Sequence, residues 1–175
     1  MSSAPIFLVP GFWLGAWAWD EVADILRADG HNVTALTLPG YESVDADRAS
    51  VTFLDHVDAI CEAVLAADAP VVLAVHSATG FSGYAASDRI PDRIAAMVYV
   101  DTAPGKPPLD PAFTDVGKPL EWEAASTQEN LDGPTEAQLP TFRELHVPVT
   151  GLLPRGHDSL SADAAALLPA RATAP

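Results

Sequence analysis

The chain has 175 residues, 49% of them hydrophobic, which is enough to bury one apolar core, and that length fits a single domain. With 24 acidic against 9 basic residues and a formal net charge of -15, its surface is expected to be solvated and to bind neither nucleic acid nor anionic membrane. Cys61 is the lone cysteine, so no internal disulfide forms; with no basic leader and no bilayer-length apolar run evident, a cytoplasmic protein is expected.

Taken in order, Ile6-Phe7-Leu8-Val9 reads as a first strand, closed by the turn Pro10-Gly11. A run unusually rich in tryptophan follows, Gly11-Phe12-Trp13-Leu14-Gly15-Ala16-Trp17-Ala18-Trp19. Trp19, Val22, Ala23 and Leu26 then recur at helical spacing, predicting an amphipathic helix that ends near Gly30. His31 to Leu38 resumes as a strand and stops at Pro39-Gly40-Tyr41. The next helix is expected to start at Thr52, with Asp55 answering three residues later as a capping box. Val57, Ile60, Cys61 and Val64 form its buried face, which makes Cys61 a core thiol rather than a nucleophile.

Pro70-Val71-Val72-Leu73-Ala74-Val75 predicts a buried strand, and the small residues after His76-Ser77-Ala78 predict a tightly packed helix reaching about Asp88. A further strand covers 95–101. The pattern β-α-β-α-β-α-β demands a parallel sheet with helices on both faces, an α/β class chain. A dinucleotide-binding fold shares that pattern. However, no G-x-G-x-x-G opens the first helix, and aromatic bulk fills the turn where a phosphate must approach.

Ser77 falls at the strand-to-helix turn. On that stretch alone it reads equally as a helix-capping serine or as a nucleophile held on a strained turn. Together with Gly15-x-Trp17-x-Trp19 after the first strand and Leu38-Pro39-Gly40 after the second, the stretch resembles the α/β-hydrolase superfamily, and more closely its short esterase and hydroxynitrile-lyase-like members, over about residues 5 to 150. The G-x-S-x-G pattern of that family is altered at both ends: Val75 and Thr79 stand where it has glycine, and Pro10 stands where it usually has histidine.

The resemblance implies an α/β-hydrolase core over 1–101, a cap segment over 102–146, and a C-terminal segment over 147–175. That last segment is either a closing strand, turn and helix or an aberrant tail of a shortened chain. Twelve of the 16 prolines follow residue 90, which suits an irregular cap. The resemblance further implies Ser77 as nucleophile and the backbone N–H groups of Phe12 and Ala78 as an oxyanion hole. A substrate pocket would draw on Trp13, Trp122 and Phe142; the cap aromatics read equally as the cap's own small core.

A serine nucleophile needs a base and an acid to orient it. Of the five histidines, His31 belongs to the far edge of the sheet, His56 to a surface helix, His76 points away from its neighbour Ser77, and His146 lies in the cap. His157 remains as the candidate base, with Asp101 at the end of the fourth strand as the acid. Their plain alternatives are an exposed loop residue and a strand-end cap. The expected activity is hydrolysis of a small carboxylic ester through an acyl-enzyme on Ser77, without metal or cofactor. A catalytically impaired small-molecule-binding protein, a truncated fragment of a hydrolase, and a cofactor-free lyase are the alternatives.

Overall fold

Residues 3–104 and 139–145 are described by the structure, a computed structural model. Four strands, β1 (Ile6–Val9), β2 (Val33–Ala35), β3 (Val71–His76) and β4 (Ile94–Val100), form one sheet in the order β2-β1-β3-β4. Every pairing is parallel: Leu8 lies opposite Ala35 on one side and Ala74 on the other, and His76 lies opposite Val100. Parallel neighbours need crossovers. These are helices α1 (Asp20–Ala28), α2 (Phe53–Leu65) and α3 (Thr79–Arg89). A fourth helix, α4 (Leu139–Leu145), belongs to the segment expected to form the cap.

Side chains alternate across the sheet, and the alternation sorts the core into two layers. Phe7, Val9, Leu73 and Val75 project into the larger layer, with Val57, Ile60, Cys61 and Val64 of α2 and Ala85 and Ala86 of α3. Leu8, Val33 and Ala74 meet Ala23 of α1 on the opposite face. Helices therefore cover both faces. The backbone of α3 lies so near β3 that a β-carbon on Gly83 would overlap a methyl of Val75, which is why that helix is built from small residues.

The local signals act as their chemistry dictates. Thr52 Oγ1 accepts from the Asp55 amide at 3.3 Å while the Asp55 carboxylate accepts from the Thr52 amide at 2.7 Å, closing the capping box that starts α2. Helix α1 ends in a Schellman arrangement: Gly30, at φ +87°, donates to Arg27 O and His31 donates to Leu26 O.

Three expectations need correction. Val22 is 41% exposed: Ala23 is the residue of α1 that is fully buried, and Trp19 and Leu26 pack against the cluster around it. Strand β2 is shorter than His31 to Leu38. Among the described residues it pairs with β1 alone, and beyond it Thr37 Oγ1 accepts from the Ala16 amide at 2.9 Å. His56 does not lie on a helix surface. It is 2% exposed, and its Nε2 is 3.0 Å from Pro39 O, so the ring fastens the loop after β2 onto α2.

Candidate active site

Among the described residues, three other than glycine have left-handed backbone: Trp13 at φ 67°, Ser77 at φ 54° and Asp101 at φ 49°. Each costs free energy that the surrounding structure must supply, and such positions concentrate at functional sites. All three follow the carboxyl ends of β1, β3 and β4, which are adjacent in the sheet. The carboxyl edge of a parallel sheet is where ligands of open α/β folds bind.

Ser77 occupies the turn between β3 and α3. Its amide donates to Val100 O at 3.0 Å, carrying the β3 to β4 ladder one residue past the strand, and its carbonyl accepts from the Gly80 amide at 3.1 Å. Ala78 is the residue that caps α3, so its amide belongs to the first-turn donors that have no partner within their helix. That end of a helix favours negative charge.

Across from Ser77, the chain leaves β1 through Gly11. A β-carbon on Gly11 would stand 3.0 Å from Ser77 Cβ and 2.9 Å from His76 Nδ1, so only glycine lets the two turns approach this closely. The turn is closed by Leu14 donating to Gly11 O at 3.4 Å. Phe12 and Trp13 follow, their rings edge to face at 6.1 Å and packed against the larger core layer.

His76 projects from the α1 side of the sheet, where its ring meets Trp19 edge to face at 6.2 Å. Burial pushes its pKa below the ordinary imidazole value, against an opposing pull from the Asp101 carboxylate. Its side chain thus packs with Trp19 on that face of the sheet.

The structure gathers Phe12, Trp13, Ser77, Ala78 and Asp101 at one sheet edge. Asp101 is exposed there, one residue beyond the pair His76 and Val100. His157 and Trp122 lie outside the described residues, and Phe142 lies on α4 with its side chain outside them. The sequence reading missed Thr79. Its hydroxyl, 1% exposed, donates to His76 O at 2.8 Å, and the only signal for it was a threonine where the motif has glycine. Among the described residues no group of three or more His, Cys, Asp or Glu side chains could hold a metal ion, and no helix is long and apolar enough to cross a membrane.

Comparison with known proteins agrees with this architecture. The sequence model of the Alpha/beta hydrolase family matches residues 6–175. Esterase PIR7B of Oryza sativa subsp. japonica is 39% identical over 107 residues, which take in 58% of this chain and 40% of that protein. Methylesterase 8 of Arabidopsis thaliana is 37% identical over 99 residues, 53% of this chain and 35% of that protein. The matches span about two fifths of the length of these curated relatives. Among solved structures, polyneuridine aldehyde esterase superposes with a TM-score of 0.74 at 20% identity, covering 91% of this chain and 74% of that one. A methylesterase from Arabidopsis also reaches 0.74, at 19% identity over 92% of this chain and 74% of its own. At these identities the structural likeness bears on the fold alone.

Proposed function

Because the chain belongs to the alpha/beta hydrolase family, we propose that it hydrolyses a small carboxylic ester, with Ser77 as the nucleophile. The observation that carries this reading is Ser77 held at φ 54° between a buried strand and a helix start, with the Gly11 turn against it. Relatives named esterase and methylesterase support the reaction class, and methyl esters are the substrates to try first.

In the proposed mechanism Ser77 Oγ attacks the ester carbonyl while His157 takes its proton, and Asp101 orients the imidazole and stabilises its charged form. The amides of Phe12 and Ala78 donate to the oxyanion as it forms. Donors already in place do not reorganise during the reaction, and one of them is worth ~10²–10³ in rate. The imidazolium then protonates the leaving alcohol. Water, activated by the same base, releases the acid from Ser77. Trp13, with Trp122 and Phe142 from the cap segment, would supply apolar walls to the pocket.

A serine-directed phosphonate tests the reading. Covalent labelling and ester hydrolysis that both disappear in Ser77→Ala support it. Absence of labelling from the folded wild-type chain overturns it; saturable binding of a small ester by that unlabelled chain would identify a receptor instead. Labelling accompanied by carbon–carbon or carbon–nitrogen bond cleavage without acid release would identify a lyase.

A further inference from the structure

Thr79 occupies the position where the G-x-S-x-G pattern has its second glycine, and its hydroxyl makes a bond that glycine cannot. It donates to His76 O at 2.8 Å, reaching back three residues, as a threonine at a helix start often does. That bond uses the single hydroxyl hydrogen, so Val9 O, 3.5 Å from the same oxygen and 70 residues away in sequence, is a neighbouring carbonyl rather than a second bond. Val9 and His76 are the last residues of β1 and β3. Beyond them the chain passes directly into the Gly11-Phe12 turn and into Ser77.

The peptide unit joining His76 to Ser77 is therefore held at both ends. Its carbonyl accepts from Thr79 Oγ1, and its N–H donates to Val100 O at 3.0 Å. The orientation of that plane is what sets φ of Ser77, and 54° is a value that serine does not keep without support. We propose that the Thr79 hydroxyl is a positioning group that fixes the Ser77 turn, so that the serine oxygen and the Phe12 amide address the carbon and the oxygen of the same carbonyl. This inference rests on the reading of Ser77 as nucleophile. Glycine in the pattern allows the strained turn by giving the backbone room; in this chain a hydrogen bond holds it.

The test uses the full chain and the phosphonate probe, measuring the maximal labelling rate, the half-saturating probe concentration and the thermal midpoint. Thr79→Val keeps the branched shape and removes the donor, while Thr79→Ser keeps the donor. Displacing a reacting group by about 1 Å costs on the order of 10²-fold, so a partial release in Thr79→Val is expected to slow maximal labelling by about 10-fold or more with half-saturation unchanged. Thr79→Ser is expected to stay within about twofold of wild type on the same argument. Should Thr79→Val not fold, Thr79→Ala against Thr79→Ser makes the same comparison without restoring the glycine of the pattern, and the alanine variant is expected to be the slower. Labelling of Thr79→Val at the wild-type rate, a change confined to half-saturation, or a serine variant as slow as valine overturns the positioning role and leaves the Ser77 reading intact. A folded wild-type chain that does not label overturns both.

Discussion

Gly11 and Ser77 are separated by 66 positions in the chain, yet a single β-carbon would not fit between them: placed on Gly11, it would stand 3.0 Å from Ser77 Cβ. The same carbon would stand 2.9 Å from the His76 ring, so it cannot swing away from the serine without meeting the imidazole. Gly11→Ala is therefore expected to push the β1 turn and the Ser77 turn apart. Overpacking of this kind costs roughly 1–3 kcal/mol of stability, and a shift near 1 Å in the reacting groups costs on the order of 10²-fold in rate. Phosphonate labelling alongside thermal unfolding checks both. A variant that labels as fast as wild type would show that the close approach has no bearing on the chemistry.

The proposed base and acid can be separated from each other by their magnitudes. Losing a positioned general base typically costs ~10²–10⁴, and His157→Gln is expected to lose ester hydrolysis on that scale. Asp101→Asn removes the charge that would orient and stabilise the imidazolium, and is expected to lower the hydrolysis rate on a similar scale. If Asp101→Asn hydrolyses normally while His157→Gln does not, the acid comes from elsewhere in the chain. Normal rates in both variants would remove the pair from the mechanism.

Helix α2 gives a stability test independent of function. Thr52 and Asp55 satisfy each other's backbone amides, and the Thr52 hydroxyl also donates to the Asp55 carboxylate at 2.6 Å. These bonds, the side-chain one first, hold the Asp55 carboxyl below the usual carboxylate range. Thr52→Ala is expected to destabilise the fold by about 1 kcal/mol and to return the Asp55 titration toward its ordinary value. Denaturant unfolding and an NMR titration of Asp55 check the two effects.

What could be read from the sequence was whatever depends on near neighbours. The capping box at Thr52 needs only residues three apart, the end of α1 needs a glycine at position 30, and the Ser77 turn announces itself through a β-branched run followed by small residues. Burial of Val22 and exposure of His56 were misjudged, since both depend on which distant element is packed opposite. Val22 stays 41% exposed beside the buried Ala23, while His56 finds a carbonyl acceptor in Pro39, 17 residues away. Left-handed backbone at Trp13 leaves no trace in a one-dimensional pattern, because tryptophan does not favour it, and at Asp101 an aspartate tolerates that conformation without announcing it. The nearness of Thr79 to Val9 was hidden for the same reason as the Gly11 approach: strands β1 and β3 are adjacent in the sheet but far apart in the chain.

His56 predicts how stability depends on pH. It is 2% exposed, and its Nε2 lies 3.0 Å from Pro39 O, an acceptor that fixes the hydrogen on that nitrogen. Burial pushes its pKa down from 6.5 to about 4, outweighing the Pro39 bond and the nearby Asp55 and Glu42 charges, all of which act upward. Between those two values the unfolded chain takes up a proton that the folded chain refuses. The stability that His56 confers is thus complete above pH 6.5 and is lost progressively as the pH falls toward 4. At 1.36 kcal/mol per unit the loss reaches roughly 3 kcal/mol. Carboxylates titrate in the same window, so the informative quantity is the difference between wild type and His56→Gln, whose amide can still donate to the Pro39 carbonyl. The glutamine variant is expected to lose less stability between pH 7 and pH 5 in denaturant melts, and parallel profiles for the two proteins would show that His56 accepts its proton without leaving the core.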